Sequence, residues 1–359
     1  MSVAPFEHPF LSRLLSEPAA AALFSLDGEL AAMLAFERAL SLAQEEEGLL
    51  PPGAARAIAR AIATFEPNHN ALAVATRRDG LSTVELVRQL RAHVGARHAV
   101  HVHVGATSQD VIDTALVARL ATLTTALDAA LGSAIDHLAR LRARDGAIAL
   151  MGRTRMQRAL PVTAADRLDA WARPLRRQRA RLAALLPELL VVQLGGAVGT
   201  LEALGGKGQA VRARLATHLR LRDPGAAWHT ARDGFAVFSG WLATTCGLLG
   251  KIGADLALMT QGEIAEASLA EGGGSSAMPH KANPVAAEIL VTLARFAATL
   301  SSGMQHALVH ENERSGAALT LEWLLLPQLC VATAGCLARA NELLAGLTFR
   351  PAKAAAAHS

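Results

Sequence analysis

Residues 272–284, GGGSSAMPHKANP, combine residue types that can move a proton and stabilise negative charge. Three glycines precede the hydroxyl of Ser275, and Lys281 and Asn283 lie just before an apolar helical pattern. Backbone N–H groups in such a loop can form a cradle for an anion. A serine whose alkoxide is stabilised there is a candidate base for a weakly acidic C–H bond. The composition also fits a polar linker that ends in an ordinary helix entry, and composition alone leaves both interpretations open.

Two other polar segments lie between long apolar patterns. The first is GATSQD, residues 105–110, and the second is GRTRMQ, residues 152–157, within a non-periodic stretch that extends to residue 163. Both are rich in hydroxyl, amide or guanidinium groups. Loops of this kind, held by a rigid scaffold, are common places for functional residues.

The spacing of apolar residues predicts several unusually long helices. From Leu116 to Leu141 they recur every three or four positions, and the pattern stops at Gly146. This helix would be about 50 Å long. A second such pattern covers residues 168–189, with a kink expected at Pro174. Further patterns cover residues of about 235–260, 284–308 and 319–347.

Composition supports an all-α fold. Of the 359 residues 52 % are hydrophobic, with much alanine and leucine, while aromatic residues make up 4 % and tyrosine is absent. Sheets usually draw on aromatic and β-branched residues, so this composition favours helices packed on helices. We predict a smaller N-terminal helical domain at residues 1–95, a long-helix bundle at 96–350 and a short tail at 351–359.

Charge and cysteine usage narrow the function classes. The net charge is +4, which suits an anionic substrate as well as nucleic acid. The arginine run at residues 173–181 is spread around its helix with no interleaved aromatic residues, so we interpret it as a solvated or subunit-contacting surface. Three scattered cysteines predict buried, reduced thiols in a cytoplasmic protein. No metal-ligand spacing occurs among histidines and cysteines, and we expect no metal and no cofactor.

No membrane segment is expected. The chain opens without a basic, then apolar leader, and residues 234–250 fall just short of the roughly 18–20 apolar residues needed to cross a bilayer. We interpret residues 234–250 as a core helix.

The order of residues in 272–284, Gly-Ser-Ser-x-Met-Pro-x-Lys-x-Asn, resembles the signature of the fumarase/aspartase superfamily. Segments 105–110 and 152–157 and the glycine-rich turn at 195–200 resemble further superfamily regions in the right order. The resemblance is closest to the 3-carboxymuconate cycloisomerases, and four segments support it: 105–117, 227–233, 272–285 and 311–323. The first and third of these are partly shared with adenylosuccinate lyases.

This resemblance implies a bundle of long helices and a homotetramer in which each active site draws on three subunits. It implies a cycloisomerase that converts a 3-substituted cis,cis-muconate into its muconolactone in bacterial aromatic catabolism, by reversible carboxylate addition. No nucleic-acid or membrane partner is implied. Many superfamily members continue into a small C-terminal helical domain, whereas this sequence ends near Arg350, as a naturally short or a truncated form would.

Residue roles follow from the same resemblance. Ser275 would be the base in elimination and the proton donor in lactonisation, while Lys281 and Asn283 would hold the substrate carboxylate. The residues expected to bind substrate are His103, Thr107, Ser108, Gln109, Thr154, Arg155, Gln157, Ser276, Met278 and Arg314. His229 is a further candidate for substrate contact, and His101 and His280 are interpreted as structural. For His103, a role in orienting its loop competes with substrate contact.

Arg155 departs from the superfamily pattern, because most superfamily lyases have a histidine at this position. That imidazole assists departure of a poor leaving group, whereas a carboxylate, with a pKa of about 4, leaves without a proton. The substitution therefore favours a cycloisomerase over an amine lyase. The guanidinium suits a third anionic substituent, either carboxylate or sulfonate. A structural arginine at a helix entry is the competing interpretation.

Two other functions stay open at this point. One is an adenylosuccinate-type lyase of the same superfamily, against which Arg155 argues. The other is a non-catalytic structural protein on this fold, against which the intact Ser275, Lys281 and Asn283 argue.

Overall fold

The computed structural model describes residues 3–270, 272–278 and 281–352. Within these ranges the protein is predominantly helical, with thirteen α-helices and two small two-stranded sheets. The helices that precede the first long one are α1 (Leu11–Leu15), α2 (Pro18–Leu23), α3 (Leu26–Glu46), α4 (Ala54–Ile62), α5 (His69–Asp79), α6 (Thr83–Val94) and α7 (Ala96–Ala99). The all-α prediction is confirmed.

Five long helices make up most of the remaining chain. They are α8 (Ser108–Asp145), α9 (Ala164–Leu189), α11 (Asp233–Met259), α12 (Val285–His306) and α13 (Gly316–Ala345), and the shorter α10 (Gly208–Leu219) follows a 3-10 helix at Glu202–Lys207. Their bounds confirm the long helices predicted from apolar spacing, to within a few residues except at the start of α8. With 38 residues, α8 is about 57 Å long.

Polar contacts at the helix ends show in which direction each long helix runs. Arg232, which precedes α11, bonds to Asp113 near the start of α8 and to Glu322 near the start of α13. We refer to this side as the Arg232 end. At the opposite side, called the Glu266 end, Arg153 before α9 bonds to Glu266 after α11. Helices α8, α11 and α13 therefore run in one direction, and α9 and α12 return.

The core of the bundle is one continuous apolar cluster shared by the long helices. Its most buried members include Leu120, Leu127, Trp171, Leu242 and Leu290. A second cluster joins α3 and α10 to the first turns of α8. Helices α3 and α10 are therefore packed against the Arg232 end. The domain boundary at residue 95 stays a prediction.

Four of the long helices, α8, α11, α12 and α13, are long and apolar enough to cross a membrane by length and composition. The expectation that residues 234–250 are too short is wrong, because they lie within the 27-residue α11. These helices nevertheless bury apolar residues against one another in the shared core. The cysteines Cys246, Cys330 and Cys336 are buried and unbridged, as predicted.

A β-hairpin stands where the sequence indicated only a polar insertion. Strands β1 (Ala149–Thr154) and β2 (Gln157–Thr163) pair antiparallel, and the turn consists of Arg155 and Met156, whose φ angles are 49° and 69°. The second sheet pairs β3 (Ala267–Ser268) with β4 (Thr348–Phe349). Both sheets lie at the Glu266 end.

Close packing of α11 on α12 depends on glycine at position 253. A Cβ there would lie 2.5 Å from the carbonyl oxygen of Ala287. We expect Gly253→Ala to lower the free energy of unfolding by about 2 kcal/mol, since the backbones must separate. Gly132→Ala on α8 is the matched control, because its Cβ would meet only the flexible Arg179 side chain at 3.4 Å. Thermal and denaturant unfolding of both variants measures these stabilities. An equal change in the free energy of unfolding of the two variants would contradict the packing role of Gly253.

Candidate active site

Ser275 lies in a loop that is closed at its base. Gly273 and Asn283 exchange two backbone hydrogen bonds, each 2.8 Å long, and the side-chain amide of Asn283 donates to the carbonyl of Gly274. The hydroxyl oxygen of Ser275 accepts a hydrogen bond from the backbone N–H of Met278 at 3.1 Å. This donation fixes the hydroxyl and would stabilise negative charge on its oxygen.

Two of the three glycines in this loop have a packing role. A Cβ at Gly272 would lie 2.6 Å from Cβ of Ala282, and one at Gly273 would lie 2.4 Å from a methyl of Val285. Gly274 has open space around it. The loop can therefore close in this way only with glycine at its first two positions.

The polar groups of the loop are available to a ligand. Ser275 is half-buried, whereas Ser276, Met278 and Lys281 are exposed. Across residues 3–270, 272–278 and 281–352, no carboxylate forms an ion pair with Lys281. Since Lys281 is exposed, its ammonium group can meet an anion from solvent. His280 lies outside the described residues.

Asp110 organises the polar loops at the other end of the bundle. Its fully buried carboxylate accepts hydrogen bonds from the backbone N–H groups of Thr107 at 2.9 Å, Gly195 at 2.9 Å and Gly196 at 3.0 Å. It also contacts Nε2 of His229 at 2.7 Å. One carboxylate therefore joins the start of α8, the glycine-rich turn and the segment before α11. The spacing T-x-x-D, typical of a helix start, was the available signal for it.

Arg314 and Thr107 meet at this end although they are 207 positions apart. The guanidinium donates to Oγ1 of Thr107 at 2.9 Å and to the carbonyls of Ala197 at 2.8 Å and Gly196 at 3.3 Å. All three acceptors are neutral, and the side chain is exposed. A positive charge therefore stands beside the Thr107 hydroxyl, with Ser108 as the next residue.

Gln109 is buried below this surface rather than open to it. Its amide nitrogen donates to Asp113 at 3.1 Å and to the carbonyl of His229 at 2.8 Å, while its amide oxygen has no hydrogen-bond partner in the described part of the chain. The sequence predicts that Gln109 contacts the substrate directly. Its hydrogen bonds indicate instead that it supports the residues around it.

A buried ionic cluster that the sequence did not reveal lies next to Gln109. Arg232 donates twice to Asp113, at 2.7 and 2.9 Å, and to Glu322 at 2.9 Å. Burial alone would lower the pKa of Arg232, but the two carboxylates outweigh it and raise that pKa. His310 is buried nearby, 3.7 Å from Glu322. The cluster holds three helices together at the Arg232 end.

His103 has the positive φ angle of 61° and contacts Glu37 of α3 through Nδ1 at 2.6 Å. Burial alone would lower its pKa, but the charge and hydrogen bond of Glu37 outweigh burial and raise the pKa. This contact supports a role in orienting the loop that leads to Thr107. The ring of His101 lies tilted against the ring of His98, with 6.2 Å between the centroids.

The β1–β2 hairpin is anchored by the buried Glu266. Its carboxylate accepts from Arg153 at 2.9 and 3.1 Å and from the backbone N–H of Met151 at 3.2 Å. The expected substrate-binding residues on the hairpin, Thr154, Arg155 and Gln157, are exposed. They stand at or next to its tip.

Arg155 occupies the hairpin turn, so its interpretation as a structural arginine at a helix entry does not fit the backbone. Its side chain makes no hydrogen bond or ion pair with the described residues, and it lines a cavity of about 200 Å³ together with Arg153 and Arg167. Arg153 is held by Glu266, and Arg167 lies 3.8 Å from Asp255, which also lines the cavity. Arg155 is therefore the guanidinium of this cavity that has no carboxylate partner among the described residues, and it suits an anion.

The candidate residues form two groups at opposite ends of the chain's long axis. Thr107, Ser108 and Arg314 lie at the Arg232 end, whereas the hairpin and the Ser275 loop lie at the Glu266 end. Helix α8 connects the two ends and is about 57 Å long. A single chain therefore does not bring the two groups together around one small substrate.

Comparison with known proteins gives consistent similarities. A family model described as lyase matches residues 16–297. The 3-carboxy-cis,cis-muconate cycloisomerase of Bradyrhizobium diazoefficiens is 41 % identical, with 96 % of this chain and 78 % of the relative covered, and that of Pseudomonas aeruginosa is 40 % identical, with 97 % and 77 % covered. The crystal structure of the 3-carboxy-cis,cis-muconate lactonizing enzyme from Pseudomonas putida matches with a TM-score of 0.89 at 37 % identity, covering 95 % of this chain and 77 % of that one.

The His103–Glu37 contact should make the stability of the protein depend on pH. Because the folded-state pKa of His103 is raised above an unfolded value of about 6.5, its stabilisation is complete below that pH and is lost as pH rises through the folded value. We expect the wild type to exceed His103→Gln in free energy of unfolding by more at about pH 6 than at about pH 9. Denaturant unfolding at both pH values measures this, with His306→Gln, at an exposed position, as control. A difference independent of pH would contradict it.

Proposed function

Since the chain belongs to the lyase family, we propose that it is a cycloisomerase that converts 3-carboxy-cis,cis-muconate into the corresponding muconolactone. The observation that carries the proposal is the 41 % identity to a cycloisomerase over 96 % of this chain. A second support is the exposure of the cations Lys281, in the Ser275 loop, and Arg155, in the hairpin turn. Arg155 lies where a proton donor for a poor leaving group would otherwise be expected.

The reaction adds one carboxylate of the substrate across a carbon–carbon double bond of the same molecule. In lactonisation, the carboxylate oxygen bonds to one carbon and Ser275 delivers a proton to the neighbouring carbon, beside a second carboxylate. In the reverse direction, the Ser275 alkoxide removes that proton and the ring carboxylate leaves with its electron pair. Atoms and charge balance without an external oxidant or cofactor.

Negative charge builds up on the carboxylate next to the reacting carbon. In this proposal Lys281 stabilises it as a cation and Asn283 as a hydrogen-bond donor. Loss of one such donor typically removes about 3–4 kcal/mol of transition-state stabilisation. The N–H of Met278 supports the oxygen of Ser275 at 3.1 Å.

Arg155 is proposed to bind the third anionic substituent of the substrate. The guanidinium stays charged at neutral pH and cannot protonate a leaving amine. A carboxylate leaving group needs no such proton. The assignment is supported by the position of Arg155 in the wall of the cavity beside the hairpin, where Arg153 and Arg167 already face carboxylates. Comparing turnover of the 3-carboxy and 3-sulfo substrates would show which anion the site prefers.

A cytoplasmic homotetramer with shared active sites is the proposed working form. The support is the separation of the two residue groups by the length of α8, together with apolar residues on the outside of the bundle. Val237 and Leu324 are each 59 % exposed, although they lie on the core helices α11 and α13. Symmetric packing of copies would cover such faces and bring opposite ends of different chains together.

Ser275→Ala tests the proposed proton transfer. We expect kcat for 3-carboxy-cis,cis-muconate, followed by loss of diene absorbance, to fall about a thousandfold because no group delivers the proton. The matched control is Ser133→Ala on the exposed surface of α8. Adenylosuccinate serves as a counter-substrate. Full activity of a correctly assembled Ser275→Ala enzyme would overturn the role of the serine.

Mixing two inactive variants tests the sharing of sites. Ser275→Ala removes a group at the Glu266 end, and Arg314→Gln removes one at the Arg232 end. In randomly mixed oligomers about a quarter of the sites would have both ends intact if the ends come from different copies. Co-expressed variants should therefore regain activity that neither has alone. Absence of recovery in proven mixed oligomers would show that the ends do not cooperate between copies.

A further inference from the structure

A cavity of about 490 Å³ opens between α3, α5 and the first halves of α8 and α13. None of the residues assigned above to substrate or proton transfer lines it. Its wall is mostly apolar and includes Met33, Leu72, Ile112, Leu116 and Trp323. This volume lies within the range of about 300–1,000 Å³ that is usual for small-molecule sites.

One wall of this cavity carries a positive charge without a counter-ion. Arg119 is half-buried and donates only to backbone carbonyls, those of Ala115 at 3.2 Å and Leu23 at 3.4 Å. Its guanidinium stands 5.6 Å from the centroid of the Phe24 ring. Within the described ranges no carboxylate lies at ion-pair distance from it. Burial is the main influence on Arg119 and lowers its pKa, against a smaller raising effect of Glu29.

The two carboxylates in the wall limit what can enter. Glu322 is already engaged by Arg232. Glu29 acts on Arg119 from beyond ion-pair distance, and it would repel a second negative group on a ligand. Apart from the imidazole of His69, the cavity therefore offers one basic group, Arg119, and a large apolar surface, with a penalty for a dianion.

We propose that this cavity binds a small amphipathic monocarboxylate whose carboxylate pairs with Arg119 and whose apolar body packs against Leu72 and Trp323. Charge pairing would compensate the half-buried guanidinium, and the apolar wall would cover an aromatic or short alkyl group. This ligand class differs from the substrate of the Ser275 loop, which carries several carboxylates. The site does not depend on the proposed reaction.

Benzoate is the probe, with benzamide and phthalate as comparison ligands. Calorimetry on the intact assembly should show benzoate binding, with at least about tenfold weaker binding of benzamide, which lacks the charge, and of phthalate, which has a second one. Fluorescence quenching provides a second measurement, because Trp323 lines the cavity. Equal affinities for benzoate and benzamide would overturn the proposal.

Variants assign the binding to this cavity. Arg119→Met should abolish benzoate binding, and Ala73→Trp should do so by filling the cavity from an exposed position in its wall. Arg176→Met, on the exposed face of α9, and Lys281→Ala, in the Ser275 loop, should leave benzoate binding unchanged. Binding that survives both cavity variants, or that disappears in Lys281→Ala, would place benzoate elsewhere and refute the site. Absence of benzoate binding to the wild type would also refute it.

Discussion

The length of α8 is the constraint on which the rest of the arrangement depends. This helix is a single 38-residue element that begins at Ser108, immediately after Thr107, and ends at Asp145, just before the β1–β2 hairpin. A helix packed along its whole length against neighbours cannot fold back on itself. The polar loops at its two ends are therefore kept about 57 Å apart within one chain. Any chemistry that needs both groups requires another copy, and the exposed apolar residues of the long helices are consistent with that requirement.

Each end is fixed by buried carboxylates with several partners. Asp110 accepts three backbone N–H groups and contacts His229, while Glu266 binds Arg153 and the backbone of the hairpin. A buried charge is costly unless it is paired and hydrogen-bonded, and a fully paired one determines a single geometry for its loop. Rigid loops of this kind are what electrostatic catalysis requires, because donors must already point at the place where charge develops.

The Ser275 loop shows how the same backbone serves packing and chemistry. Its first two glycines allow the chain to approach Ala282 and Val285 closely, and the resulting closure lets Met278 donate to the serine hydroxyl. At Arg155, by contrast, a strained backbone position is occupied by a residue with a long side chain. It takes up a left-handed backbone conformation that glycine or asparagine would adopt more readily, at the tip of an exposed hairpin. The strained turn presents the guanidinium at an exposed position, where the proposed anion contact would be made.

The sequence by itself determined the long helices, the loops between them and the chemical groups that those loops offer. Burial of one helix face imposes a spacing of three to four residues, and that spacing is visible in the letters from Leu116 to Leu141. Much of the candidate site was accessible in the same way, because its residues are contiguous in short motifs. The β1–β2 hairpin was missed, since its strands are short, mostly exposed and held through the distant Glu266.

Only the tertiary structure decided which motifs meet. Asp110 finds His229 119 positions away, and Arg232 finds Glu322 90 positions away. Local spacing carries no information about such pairs, because they arise from the direction in which each long helix runs. The same arrangement of helices buries Gln109 and separates Ser275 from Thr107. Residue type and order thus indicated the chemistry, whereas the packing of rigid helices determined where its parts lie.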